Sequence, residues 1–184
     1  RCTAEQVMVL SSAQEAMELS CRVLLDPGDT VWLEDPSWGG ATGALIAAGA
    51  RIAYVPVDRE GLVVEHGIAA APDARLVYVS PSHQFPAGVT LSLERRLALL
   101  QWAERSGAWI LEDDYDSEFR YAGRPLTALH GLDRAGRVLY IGTFNKTLFP
   151  GLRVGYVVVP QSLVEPFLVT RRIGAQHAPP VDQA

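Results

Sequence analysis

The sequence predicts an α/β fold: a mostly parallel seven-stranded sheet with helices on both faces. Three observations predict it. Seven short apolar runs alternate mostly with stretches of helical periodicity along the 184 residues. Several runs open into turns rich in small, polar or acidic residues, at the strand ends where open α/β sheets bind ligands. A chain of this length, 48% apolar, suits one domain with a sizeable core.

The elements follow in order. Val7–Leu10 is a short strand ending at Ser11-Ser12, a pair placed to cap the helix that Ala16, Leu19 and Val23 mark out over residues 13–25. A strand entering a helix through small residues leaves unpaired N–H groups that attract anions, although many such starts bind nothing. Asp26–Asp29 is a turn, 30–34 a buried strand, and Asp35-Pro-Ser-Trp38-Gly-Gly40 its outlet. An alanine-rich helix over 40–49, a strand over 51–56 and a short helix over 65–71 come next. The strand 76–80 opens into Pro81-Ser-His-Gln-Phe-Pro-Ala-Gly88. Residues 91–105 form an amphipathic helix, with Leu93, Leu97, Leu100 and Ala103 inward and Glu94, Arg95 and Glu104 outward. The strand 108–111 runs into Glu112-Asp-Asp-Tyr-Asp116, strands 138–142 and 154–159 follow, and a helix begins over 161–172.

Composition narrows the function. A net charge of −5 without a basic stripe argues against this chain itself gripping nucleic acid. Cys2 and Cys21 have no metal or redox spacing, which fits a reducing cytoplasm. No metal site is expected, no apolar run is long enough for a transmembrane helix, and no signal peptide is visible. The fingerprints G-x-G-x-x-G and G-x-S-x-G do not occur. Starting at Arg1 without methionine, the chain reads as a fragment of something longer.

Lys146 is the sole lysine beside 15 arginines. A guanidinium stays protonated and cannot condense with an aldehyde; a lysine amine can lose its proton and form a Schiff base. An ordinary solvated lysine is the other reading, which the apolar and small flanks (Ile141, Gly142, Phe144, Leu148, Phe149) suit poorly. Thr143 and Arg153, with Pro150-Gly151 turning between them, offer a hydroxyl and a guanidinium to one anion. Glu112, Asp113, Asp114 and Asp116 form either a solvated acidic turn, a weak cation site, or a site carboxylate carried to a strand end. If the extended backbone continues, Asp113 and Tyr115 point to the same side, because side chains alternate.

Together these segments resemble the class I/II aminotransferases of fold type I, which use pyridoxal 5′-phosphate. The resemblance implies that the chain is a partial large domain of that fold, spanning residues 1–184. It implies that Lys146 is the catalytic residue and holds the cofactor as an internal aldimine. It further implies that Ser12, Ala13 and Gln14 cradle the phosphate with Thr143 and Arg153, that Trp38 stacks on the pyridine, and that Asp113 pairs with its nitrogen. Two departures stand out. The family's N-P-x-N-P-T-G loop reads Ser80-Pro-Ser-His-Gln-Phe85-Pro-Ala-Gly88 here, with Phe85 in place of an asparagine that bonds the ring oxygen. The ring-oxygen tyrosine, often three residues after the aspartate, is replaced by Asp116, so Tyr115 takes over its contact. His83 and Gln84 either contribute to the site or simply bond the loop backbone.

The wording Ser-Pro-Ser-His-Gln-Phe-Pro-Ala-Gly, Glu-Asp-Asp-Tyr-Asp-Ser-Glu-Phe and Gly-Thr-Phe-Asn-Lys is similar to the MocR-type regulators, in which such a domain follows a winged-helix DNA-binding domain of the GntR class. That resemblance implies a homodimer sensing an amine or amino acid, binding DNA only through a part outside this chain. The C-terminal small domain, with its substrate-carboxylate arginine, is also expected outside the chain. The alternative is a free-standing aminotransferase moving an amino group between an amino acid and a 2-oxo acid.

Overall fold

The computed structural model describes residues 2–117, 126–146 and 148–174. The elements are β1 (Val7–Leu10), α1 (Ala13–Leu24), β2 (Thr30–Asp35), α2 (Gly39–Ala47), β3 (Arg51–Asp58), β4 (Gly61–Leu62) and α3 (Val64–Ala70), then β5 (Leu76–Val79), α4 (Leu93–Ser106), β6 (Trp109–Asp114), α5 (Leu129–Leu132), β7 (Val138–Thr143), β8 (Gly155–Val158) and α6 (Val164–Ile173). All seven expected strands are present. The two-residue β4 and the single turn α5 are additions too short to show a period.

The sheet order is β1-β8-β7-β6-β5-β2-β3-β4. Strands β3, β2, β5, β6 and β7 are parallel, whereas β4, β8 and β1 pair antiparallel at the edges. The sheet is therefore mixed, less uniformly parallel than expected. The reason is local: β7 and β8 are joined without a full crossover helix, and a strand returning directly lies antiparallel to its predecessor. Two successive reversals turn β1 back to the sense of β7. The ends of β1, β2, β5, β6 and β7 and the start of β8 thus share one edge of the sheet.

Alternation along each strand divides the core in two. Val31, Leu33, Leu76, Tyr78, Leu111 and Ile141 face α1, α2 and α6, where Met17, Leu45 and Phe167 close the layer. Trp32, Val77, Val79, Ile110 and Val138 face α3, α4 and α5, against Val64, Leu99, Trp102 and Leu129. Burying each such large side chain stabilises the fold by about 1.5–3 kcal/mol. Trp32 and Trp102 stack at 3.8 Å between centroids, and the Trp32 indole donates to the Ala71 carbonyl. No helix among the described residues is long and apolar enough to cross a membrane.

Helix α4 corrects the expected amphipathic face. Ala103 is buried and Leu100 half-buried, but Leu93 and Leu97 are 50% and 45% exposed. The buried stripe is Arg96, Leu99, Trp102 and Ala103. Arg96 turns the helix, because its guanidinium donates to the carbonyls of Leu91 (2.9 Å), Pro81 (2.6 Å) and Thr127 (3.1 Å). Arg96, to which periodicity gave no role, is here the pin joining α4, the loop after β5 and the approach to α5. Arg96→Met is expected to destabilise the intact protein by about 3 kcal/mol, since it strands buried carbonyls. A lysine should not rescue it, because an ammonium lacks the planar fork. Denaturant midpoints check this; a loss below about 1 kcal/mol would refute the pinning role.

Candidate cofactor site

At the shared edge lies a pocket of about 390 Å³, lined by Ser12, Ala13, Gln14, Trp38, Tyr78, Ser80, Phe85, Asp113, Tyr115, Thr143, Asn145, Lys146 and Arg153. Every residue that the sequence singled out for a cofactor is on this wall. Tyr78, Ser80 and Asn145 were not anticipated.

One end of the pocket is built for an anion. Ser12 caps α1, its hydroxyl accepting from the Glu15 amide at 3.1 Å, while Glu15 accepts in return from Ser11 N and Oγ. This reciprocal cap leaves the Ala13 and Gln14 amides donating to no described residue, at the positive end of the helix. Gly155 allows the approach: a Cβ there would come within 2.9 Å of the Ala13 nitrogen, so β8 passes directly beneath the helix start. Thr143 ends β7, and its buried hydroxyl accepts from the Asn145 amide at 3.2 Å. Arg153 sits at φ 47°, the one non-glycine residue with positive φ among those described. It forms no ion pair with a described residue. A side chain held in this sparsely populated region is a frequent mark of a functional position.

The other end sorts the acidic cluster. Asp113 belongs to the face of Trp109 and Leu111, Asp114 to the opposite one. The Tyr78 hydroxyl donates to Asp113 Oδ2 at 2.5 Å, and Asp113 Oδ1 is buried without a described partner. Burial pushes the Asp113 carboxyl up to about 6, against the Tyr78 hydrogen bond, which lowers it, and with the help of Asp114 and Asp116. Asp114 accepts from Tyr140 and Ser117 hydroxyls, both at 2.7 Å. Glu112 lies buried and caps α5 through the Leu129 and His130 amides. Asp116 meets His83 Nδ1 at 2.8 Å. The solvated acidic turn is thereby excluded, and the described residues form no group suited to a metal ion.

Tyr115 and Asp113 both reach the pocket, although β6 ends at Asp114 and the extended backbone on which strand parity depended does not continue through Tyr115. Burial first, then the surrounding carboxylates, push the Tyr115 phenol up to about 12, so at neutral pH it acts as a hydrogen-bond donor. The Trp38 ring fills the space a side chain at position 40 would take: a Cβ on Gly40 would lie 2.3 Å from it. Gln84 proves to be a loop residue. It is buried and bonds the Pro36 carbonyl at 2.7 Å, the Phe85 carbonyl at 2.8 Å and the Ala87 amide at 3.0 Å. Beneath the site, Glu34 is buried, accepts from the Ser80 amide, and is pushed up to about 8, chiefly by burial. Its position inside an apolar strand gave no sign of this.

Lys146 lines the pocket but is itself exposed, as are Phe144, Leu148 and Phe149. The expectation that apolar flanks bury the lysine therefore fails for these neighbours and holds for Ile141 and Gly142. Apolar type alone did not reveal that the β7–β8 connection stands on the rim of the pocket.

A sequence model of the family described as Aminotransferase class I and II matches residues 1–175. The chain belongs to that family. Among curated members, it is 49% identical over 166 residues to the "Probable rhizopine catabolism regulatory protein MocR" of Rhizobium meliloti, covering 90% of this chain and 33% of that protein. The crystal structure of an archaeal alanine:glyoxylate aminotransferase superposes with a TM-score of 0.92 at 34% identity, covering 99% of this chain and 47% of that one. LysN, the α-aminoadipate aminotransferase of Thermus thermophilus, complexed with N-(5′-phosphopyridoxyl)-L-leucine, gives 0.88 at 33%, covering 97% and 47%. The chain thus spans a third to a half of the length of these class I and II relatives.

Proposed function

We propose that this chain is the pyridoxal-phosphate-binding, aminotransferase-like part of a MocR-type transcription regulator, sensing a primary amine or amino acid. The observation that carries cofactor binding is Asp113: a buried carboxylate with one oxygen held by Tyr78 and the other without a partner among the described residues, in a pocket whose far end collects anion donors. A buried anion with a free acceptor calls for a cationic donor, and a protonated pyridine nitrogen is one. Bound here, the cofactor supplies an aldehyde that condenses with primary amines and a ring that acts as an electron sink.

The residues then divide the work. The Ala13 and Gln14 amides, Thr143 and Arg153 hold the phosphate. Trp38 covers the ring, Asp113 keeps its nitrogen protonated, and Tyr115 donates to its oxygen. Lys146 would hold the cofactor at its aldehyde carbon, and its amine would be the group placed to move a proton as general base. Likeness to MocR over 90% of the chain, with Phe85 where an asparagine is usual, supports the regulator. DNA binding then belongs to a separate basic domain, since this chain carries a charge of −5. The exposed Phe144, Leu148 and Phe149 beside the pocket support a second copy of the chain as neighbour, and a reducing cytoplasm as the setting fits the two free cysteines. The second reading, a free-standing aminotransferase, is favoured by Asp113 itself, because plain sensing does not need an electron sink.

The test titrates the intact protein with a panel of amino acids and amines, with and without promoter DNA from its own gene, while assaying 2-oxo acid. Spectral exchange without turnover, with DNA affinity shifted by about 5- to 150-fold and amine affinity shifted reciprocally, is the expected result. Steady multiple turnover with no DNA binding would leave the aminotransferase.

A further inference from the structure

The family departures at Phe85 and Asp116 leave Tyr115 without the usual neighbours, and the structure shows what replaces them. His83 Nδ1 lies 2.8 Å from Asp116 Oδ2 and donates to it, since a carboxylate only accepts. The His83 and Tyr115 rings are nearly parallel, 13° apart in plane with centroids at 6.2 Å. Tyr115 has no hydrogen bond to a described residue that would fix its phenol. What holds it is therefore the backbone on either side and the imidazole alongside.

Both supports are anchored. On one side, Ser117 N and Oγ bond Asp114, closing a turn around residues 114–117. On the other, the His83 loop is pinned by buried Gln84, by the Gln84 amide to Val89, and by Thr90 Oγ1 to Ser82. Gly88 turns this loop at φ +71°, and the imidazole packs over it: a Cβ there would meet His83 Nε2 in ordinary van der Waals contact at 3.5 Å. The His83–Asp116 contact is thus a bridge between two hydrogen-bonded stretches, and Tyr115 stands between them at the pocket wall.

We propose that His83 is a positioning residue which, through Asp116 and its ring contact, aims the Tyr115 phenol at the cofactor's ring oxygen. This rests on the cofactor reading above. A phenol donating to that oxygen draws off charge that would otherwise hold the proton of the cofactor–Lys146 chromophore. Misaiming or losing the phenol should raise the chromophore's proton affinity. A residue that merely supported the loop would change stability and leave this spectral midpoint alone.

The experiment is a spectrophotometric pH titration of the intact protein loaded with pyridoxal phosphate. Tyr115→Phe sets the reference shift, expected upward by about threefold to tenfold in proton affinity. His83→Ala and Asp116→Asn are expected to move the midpoint in the same direction, and His83→Asn, which keeps a donor near Nδ1, to stay close to wild type. In the Tyr115→Phe background, His83→Ala should add nothing, because both act through one phenol. Should His83→Ala fail to fold, Asp116→Asn reads the same contact. A silent His83→Ala or Asp116→Asn beside a shifted Tyr115→Phe overturns the proposal, as does a His83→Ala shift that adds fully to it. A Tyr115→Phe that leaves the midpoint unmoved overturns it too. Absence of any chromophore in the wild type is a different failure: it removes the cofactor reading itself.

Discussion

Lys146→Arg is expected to abolish covalent cofactor attachment entirely while leaving the fold intact. The wild-type intact protein, given pyridoxal phosphate, should develop a visible absorbance band, and borohydride should fix a pyridoxyl mass on the peptide containing Lys146. Lys146 is the only lysine in these 184 residues, so within this part of the intact protein a lysine-borne label has one place to sit. Arginine preserves charge and length, and no described residue pairs with the Lys146 amine, so substitution costs the fold little. What it removes is an amine able to condense with an aldehyde. Lys146→Ala should lose the band as well, and added methylamine, a small free amine, should partly restore it. A wild-type protein without a band in excess cofactor, or a reduced label on another residue, refutes the assignment.

Much of this site was legible because its chemistry is carried by residues in unusual places. A lone lysine between Thr143 and Arg153, and an acidic run after an apolar strand, are visible without coordinates. Parity along β6 correctly separated Asp113 from Asp114. What stayed hidden looked ordinary. Tyr78 sits in the run Leu-Val-Tyr-Val-Ser as any core aromatic would, and only the register of β5 beside β6 brings its hydroxyl to Asp113. Glu34 has no local signature, and its burial depends on the loop that Gln84 pins above it. His83 carried two open readings because the partner that separates them, Asp116, lies 33 positions away. The turned face of α4 belongs to the same class of miss: periodicity places Leu93 and Leu97 inward, and three carbonyls outside the helix draw Arg96 into the core instead. Strand direction failed only at the edges, where connection length, rather than apolar content, decides between parallel and antiparallel.

Asp113→Asn is expected to keep covalent attachment through Lys146 and to lose control of the pyridine nitrogen. In the wild type, a buried carboxylate should hold that nitrogen protonated well above neutral pH, because opposite charges attract strongly where water is scarce. An amide carries no charge, so the nitrogen should lose its proton near its free value, a change readable by NMR of nitrogen-15-labelled cofactor. Where the protein exchanges the α proton of a bound amino acid, that exchange should slow by about 100-fold or more. Stability supplies an independent sign. Asp113 is raised from 3.8 to about 6 in the cofactor-free fold, so its contribution is fully present below pH 3.8 and is lost as pH rises through about 6. At pH 8 the cofactor-free wild type therefore bears a buried charge that only the Tyr78 hydroxyl, among the described residues, offsets, and Asn removes that charge. The cofactor-free variant should melt no lower than wild type there, yet gain less from added cofactor, because the carboxylate–pyridinium pair is gone. Asp114→Asn is the control, since its side chain serves Tyr140 and Ser117 on the opposite face. Equal ring-nitrogen titration in wild type and Asp113→Asn would show that Asp113 Oδ1 serves some other donor.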